Sequence, residues 1–363
     1  TQHYGEAYLF YFDKGSPYSN LTLFKKLADN TPINSTQTLH IPGNSYFGSS
    51  IALHDNLLAV GAQGTGGSDG AVFLFDFTSG TNYNDLHYDG TLTLDALSAP
   101  SYDNFGSGVA LDTYTNGSTT YKMLAVGADG AGLGNVPGLV ALYRFTPTST
   151  NPYGTIQTTG PTQVLVSATA PTSANHFGSS LSLCNYSHTV DTTTTNYEIL
   201  AVGADGDKPS QGGYIELFDV MNVTSSTAPT FLVKVTDGTS NNNAFGSGVA
   251  VTQGTYNSTN WLLLAGGAEG SKVSDPFAGA VYLYHLQPSN FTHSLTIPYS
   301  SYDGIIGNVA DPIYPVPVAL GDYFGSSVAF GKTTLGSTTY NLLGIGSSHY
   351  QIGSANEGAI YLM

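Results

Sequence analysis

The sequence predicts an all-β chain, a β-propeller of four-stranded antiparallel blades, and three observations predict it. A Phe-Gly-Ser start, an apolar run closed by Gly-Ala, and a Gly followed by an alternating apolar run recur together five times along the chain. The runs are short, rich in Val, Leu, Ile, Tyr and Phe, and bounded by Gly, Asn and Asp, as strands and tight turns are. Finally, 44 Gly and 25 Tyr with only 9% charged residues penalise helices and suit pleated, half-buried surfaces. A repeated small sheet cannot stand alone, and wrapping such sheets about an axis lets each bury its faces on its neighbours.

The elements follow in chain order. Residues 5–12, Gly-Glu-Ala-Tyr-Leu-Phe-Tyr-Phe, look like the third strand of a unit, and 21–26 and 38–42 can serve as outer strands. The five units place their three runs at 47–53, 57–62 and 70–75; at 105–111, 123–128 and 138–143; at 177–180, 199–204 and 213–218; at 245–250, 263–268 and 279–284; and at 324–329, 342–347 and 358–362. A more variable fourth run, such as 90–94 or 231–235, precedes the next Phe-Gly. The Gly after each Phe marks a close approach of backbones, and the Phe an inter-blade wedge. The expected organisation is one propeller over 1–363, with an N-terminal half-repeat over 1–46 and five repeats over 47–363.

Phe-Gly, then Gly-Ala with Gln63, Asp129, Asp205 or Glu269, then Gly-Ala-Val-Tyr-Leu-Tyr at 279–284 resembles the FG-GAP repeat of integrin α-subunit propellers and related secreted microbial propellers and lectins. The resemblance spans 47–363. It implies a propeller fold, and in several blades of that family an Asp-x-Asp-x-Asp-Gly calcium loop between the first two strands. That loop is missing here: the connections carry Asp55-Asn56, Asn116-Gly117-Ser118, or Asp191 before a run of Thr. Calcium takes about 6–8 oxygens with several charges among them, so the hairpin loops are not expected to bind it. The candidate cation ligands are instead Asp129, Asp205, Asp207 and Glu269, at equivalent points after the second strand, where an Asp-Gly turn is the alternative explanation. No cofactor is otherwise expected.

The ends leave a surplus. One N-terminal strand can complete the last blade, which leaves Tyr8, Leu9, Phe10, Tyr11 and Phe12 as an alternating, uncharged strand that will pair with something. It packs on an edge, or further residues complete another blade, or the strand is exchanged between subunits. Exchange would assemble copies head to tail into a filament.

Composition narrows the partners. With 9 Lys+Arg against 25 Asp+Glu the net charge is −16, so nucleic acid is not an expected partner. The longest apolar stretch, 261–268, is too short to span a bilayer as a helix. The single Cys184 excludes an internal disulfide framework. The chain starts at Thr1 with no basic-then-apolar leader, which fits either a processed secretory protein or an internal start. Sequons stand at Asn20, Asn34, Asn116, Asn185, Asn222, Asn257 and Asn290, with Asn116 and Asn257 in equivalent hairpin loops. Together with the low Lys content they point to an extracellular or cell-surface protein.

Catalytic signals are sparse. Gly66, Ser68 and Gly70 fit Gly-x-Ser-x-Gly but lack the strand-to-helix setting of a nucleophile elbow. The nine His form no zinc motif, His176 occupies a variable position, and Cys184 fits a small core residue. Asp and Glu are available for a glycosidase pair without the sequence saying which two face each other. Tyr18, Tyr83, Tyr114, Tyr153, Tyr256, Tyr302 and Tyr314 are expected in loops, as rings that bind a sugar face or another protein or as solvated polar residues. The insertion 311–317, with Tyr314, Pro315 and Pro317, is the best candidate contact loop. The expected function is non-enzymatic adhesion, recognition or assembly through a protein or glycan partner. A lectin with repeated inter-blade sites and an extracellular polysaccharide hydrolase are the alternatives.

Overall fold

The computed structural model describes residues 4–12, 21–64, 70–77, 86–94, 104–130, 137–148, 151–170, 175–206, 213–237, 243–270, 278–291, 296–297, 304–307, 314–315, 321–335, 338–349, 351–352, 355–356 and 358–363. The chain is all-β, a five-blade β-propeller of four-stranded antiparallel blades. An N-terminal pair, β1 (Ala7–Phe12) and β2 (Leu21–Leu27), precedes them, with a small pair β3 (Thr31–Pro32) and β4 (Thr38–Leu39).

Blade 1 holds β5 (Phe47–His54), β6 (Leu57–Ala62), β7 (Ala71–Phe77) and β8 (Leu86–Leu92) in that order outward. Blade 2 holds β9 (Phe105–Asn116), β10 (Thr119–Ala128), β11 (Leu139–Phe145) and β12 (Gln163–Val166), with one helical turn, α1 (Ile156–Thr159), before β12. Blade 3 holds β13 (Phe177–Val190), β14 (Thr193–Ala204), β15 (Tyr214–Asp219) and β16 (Thr230–Thr236). Blade 4 starts with β17 (Phe245–Tyr256), β18 (Thr259–Ala268) and β19 (Ala280–Leu286). The chain then reaches back to lay β20 (Thr296–Ile297) parallel to β16, and returns to complete blade 4 with β21 (Gly304–Gly307) and an outermost parallel β22 (Tyr314–Pro315). In blade 5, β23 (Phe324–Leu335), β24 (Thr338–Ser347) and β27 (Ala359–Leu362) lie among the described residues, with a small ladder of β25 (Gln351–Ile352) and β26 (Ala355–Asn356) before β27.

The Phe-Gly motif is a turn before it is a strand. In each unit the Ser amide hydrogen-bonds back to the residue before Phe, at 2.9–3.2 Å. The Gly has φ of +89° to +99°, so the four residues form a type II turn whose third position suits glycine. The residue before Phe is itself left-handed in all five units (Tyr46, Asn104, His176, Ala244, Tyr323). The first strand therefore enters its hairpin through a bulge, with Phe47 opposite Ala62 and then Ser50 opposite Gly61.

This turn is how one blade grips the next. A Cβ on Gly106, Gly178, Gly246 or Gly325 would come within 2.6–2.7 Å of a third-strand carbonyl of the preceding blade. In return, Gly61, Gly127, Gly203 and Gly267 lie under the carbonyls of Gly106, Gly178, Gly246 and Gly325, where a Cβ would overlap the oxygen. The third strand alternates between seams. Val72 and Leu74 pack forward with Phe105, Val109 and Leu111 of blade 2. Phe73 and Phe75 pack backward with Ala7, Leu9 and Phe47. Ile215 and Leu217 repeat the forward contact against Phe245, Val249 and Val251.

Several rings assigned to loops by sequence are core groups. Tyr114 lies in β9 and is buried, and Tyr153 is fully buried, its hydroxyl donating to the Leu58 carbonyl of blade 1 at 2.8 Å. Tyr256 is exposed, whereas Tyr18, Tyr83 and Tyr302 lie outside the described residues.

Candidate functional site

The repeat generates a row of polar groups at one end of the strands. Because Phe pairs with the last residue of the second strand, the left-handed residue before it meets the residue just after that strand. Asn104 thereby donates to Asp129 (Nδ2–Oδ1 2.9 Å), and His176 Nδ1 lies 2.8 Å from Asp205 Oδ1. His176 is thus a specific partner rather than a freely variable position. In unit four the equivalent residue is Ala244, which has no donor to offer. Burial, and then the nearby charge of Asp205, push the Glu269 carboxyl up to about 7. An acid that holds its proton near neutrality therefore lies within the electrostatic reach of Asp205 on the adjacent blade.

Of the proposed cation ligands, Asp129 and Asp205 are engaged by Asn104 and His176, Glu269 lies near Asp205, and Asp207 falls outside the described residues. Among the described residues no three His, Cys, Asp or Glu come together to hold a metal.

A second carboxyl cluster lies in the seam of blades 2 and 3 and was not singled out by sequence. Glu198 of β14 is fully buried; burial, with the charges of Asp112 and Asp219, holds its proton well above the usual carboxyl range. Asp112 accepts from Asn185 Nδ2 at 3.2 Å and lies 3.4 Å from His54 Nε2. The signal available in sequence was Glu198 directly before the apolar run of its second strand, where unit two has Lys122. Lys122 in turn holds Asp55 at 2.8 Å and keeps that carboxyl below the ordinary range. Glu216 in β15 is also buried, its carboxylate accepting from Ser167 Oγ and the amides of Ala168 and Thr169 at 2.8–3.0 Å. It ties blade 3 to the turn after β12. Cys184 is buried and its thiol is pushed up to about 12, a setting for an inert core group.

The third feature is the seam beyond blade 5. Inner-strand packing runs from β5 to β9, β13, β17 and β23, and no comparable packing joins β23 to β5 among the described residues. Ile360 and Leu362, the counterparts of buried Val72 and Leu74, are 80% and 78% exposed. On the other side, Ile51 and Leu53 are 47% and 57% exposed, against 7% and 9% for their counterparts Val109 and Leu111. In β1, Ala7 and Leu9 are buried against blade 1, while Tyr8 and Phe10 are about half exposed; the Phe12 side chain lies outside the described residues.

The sequons are unequal. Asn257 is exposed at the tip of the β17–β18 hairpin. Asn116, at the tip of β9–β10, donates to the Met221 carbonyl and to Asn222. Asn185 donates to Asp112 and Thr113, Asn34 to Gln37 and Leu86, and Asn290 caps a short turn through Gln287. Asn20 is outside the described residues, as are Pro317 of the contact loop and all of the Gly-x-Ser-x-Gly stretch except Gly70. Tyr314 and Pro315 form β22 at the outer edge of blade 4.

Two clefts cross blade boundaries. One, of 560 Å³, is lined by Tyr121, Arg144, Ile156 and Val223. The other, of 370 Å³, is lined by Asn185, Tyr186, Asn196, Tyr197 and Gln253. They do not occupy equivalent places in the repeat.

No protein-family model matches the sequence, and neither does any curated protein. Among solved structures the chain is similar to exo-inulinase from Aspergillus awamori, with a TM-score of 0.41 and 6% identity over 86% of this chain. The match spans 60% of the length of that enzyme chain, less than two thirds of it.

Proposed function

We propose that this chain is a non-enzymatic extracellular propeller of the FG-GAP type that works by contact, in adhesion, recognition or assembly. The observation that carries this reading is the exposed tip of the β17–β18 hairpin, where the Tyr256 ring is 71% exposed beside the sequon at Asn257. An exposed ring with a polar tip suits contact with a sugar or another protein. The exposed sequon at Asn257 and the scarcity of Lys support an extracellular setting. The test is to present the full chain to a glycan array, with calcium and with chelator, and to polysaccharide substrates. Saturable binding without turnover is expected; turnover lost on Glu269→Gln would reverse the assignment.

A hydrolase acting on extracellular polysaccharide is the second reading, and Glu269 favours it. A carboxyl whose proton is held to about 7 by burial and then by the charge of Asp205 has the chemical character of a general acid. A lectin would draw on the cleft lined by Asn185, Tyr186 and Tyr197, where rings and amides meet.

A further inference from the structure

We infer that the larger cleft where blades 2 and 3 meet binds an acidic saccharide, with Arg144 taking its carboxylate. This deepens the contact reading, on which it rests, by naming a ligand class and a place.

The cleft is the product of one connection. Residues 146–162, which join β11 to β12, form a longer link than 78–85 of blade 1 or 220–229 of blade 3. They are pinned at their middle, where buried Tyr153 stacks on Phe145 at 5.7 Å and its hydroxyl reaches the carbonyls of Leu58 and Phe75 at 2.8 and 3.2 Å. Across from them stands a turn of blade 3, closed by backbone bonds between Thr224 and Thr227 at 3.1 and 3.2 Å. The space between the two is the 560 Å³ cleft, a size that suits a small ligand. Phe145, Ile156 and Val223 give it a buried apolar lining.

Into this lining the chain puts its only Arg. The Arg144 guanidinium is fixed from two directions. Its carbon lies 3.7 Å from the centre of the Tyr121 ring, a cation–π contact, and Nη1 donates to the Val223 carbonyl at 2.7 Å. Among the described residues no carboxylate forms an ion pair with it. Two acids share the surroundings of Tyr114 with Arg144, but Glu198 keeps its proton and Asp219 accepts from the amides of Glu198 and Met221 at 3.3 and 3.0 Å.

The guanidinium is also short of acceptors. Its Nε–H is buried and has none among the described residues, and a buried donor in that state calls for a water or an ion to complete it. With Nη1 taken by Val223, the Nε–Nη2 edge is the uncommitted side of the fork, and that edge grips a planar carboxylate through two parallel bonds. Thr146 and Ser225 add exposed hydroxyls that have no partner among the described residues. One fixed cation, single hydroxyls and an apolar lining match a hydroxyl-bearing ring that carries an acid group. The net charge of −16 repels anions at a distance, but exposed charges are largely screened beyond about 8 Å at physiological salt. The guanidinium acts at hydrogen-bond distance inside the cleft, so it outweighs that repulsion once the ligand is seated.

Titration calorimetry of the full chain with oligogalacturonate, with its methyl ester, and with a glutamate-rich peptide tests this. The acid is expected to bind saturably. The ester keeps every ring hydroxyl and loses the charge, so it should bind about tenfold or more weakly. Arg144→Gln should weaken the acid by a similar factor, and Arg144→Lys by less, because an ammonium keeps the charge without the fork. Arg144 also holds Val223, so Ser225→Asp gives an independent reading: at an exposed position outside the bonding of the turn, it should weaken the acid while leaving the melting temperature unchanged. Absence of acid binding, equal binding of acid and ester, preference for the peptide, or an affinity indifferent to Ser225→Asp and Arg144→Gln would overturn the inference. Saturable binding of a neutral glycan or of a protein alongside any of those results would leave the contact reading standing.

Discussion

The seam between blades 3 and 4 and the seam beyond blade 5 are built from the same residues in the same order, yet one is closed and the other open. At the first, Gly203 lies under the Gly246 carbonyl, Ser180 donates to that carbonyl, and Ile215 and Leu217 disappear into a core with Phe245. At the second, Gly346, Ser327, Ile360 and Leu362 hold the equivalent positions with no blade before them among the described residues. The difference teaches that a glycine in this repeat is demanded by its neighbour and not by its own strand. Gly203 and Gly346 have ordinary strand conformations, so the requirement at Gly203 comes from close approach alone.

Substitutions at matched positions can break that comparison. The largest contrast is expected from glycine. Gly203→Ala forces a Cβ into a backbone oxygen and should cost more than about 3 kcal/mol or prevent folding, while Gly346→Ala, opposed only by the Ser327 side chain, should cost under about 1 kcal/mol, both read by urea unfolding. Next comes the apolar face. Leu74→Ala in the filled seam should cost about 2–5 kcal/mol, and Leu362→Ala at the open one should stay within about 0.5 kcal/mol. Equal costs at either pair of positions would mean that the last seam is closed in solution.

The closed seams also carry a pH signature. Glu269 and Asp89 each hold their protons to about 7, burial being the first cause in both, with the charges of Asp205 and Asp76 second. The folded state then binds more protons than the unfolded chain between about pH 4.5 and 7, so stability falls as pH rises through that window. Glu269→Gln should flatten part of the slope and make the variant more stable than the parent above pH 7 by on the order of 2 kcal/mol, measured as melting temperature against pH. The smallest effect belongs to the serines. Ser180→Ala should cost about 1 kcal/mol through the lost bond to Gly246, and Ser327→Ala a few tenths at most.

Much of this fold is legible in the sequence because each strand announces itself locally. The alternation in 71–75 and 280–284, the Gly-Ala ends of the second strands and the recurring Phe-Gly starts all bear on residues within a few positions of one another. Within 5–12, which the sequence likens to a third strand, the structure has β1 paired antiparallel with β2. Less legible was the fate of single side chains. Tyr114 and Tyr153 sit in segments with weak periodicity, and only packing across blades shows them buried. Glu198 looked like one more acidic residue before an apolar run, because nothing local reveals that Asp112, far away in the chain, stands against it. Asp205 and Glu269 were visible as equivalent positions, but their difference in partner follows from His176 and Ala244 on other strands.

By itself the sequence determined the strands, the five-fold recurrence, the close backbone approach at each Phe-Gly and the low charge of the chain, since these rest on backbone preference and composition. Tertiary structure alone decided which of the equivalent second-strand glycines are covered by a neighbouring carbonyl, which carboxyls keep their protons, and where apolar faces remain in water. Those outcomes depend on contacts between residues many tens of positions apart, and a repeat that reads the same in every unit carries no local mark of whether another unit lies against it.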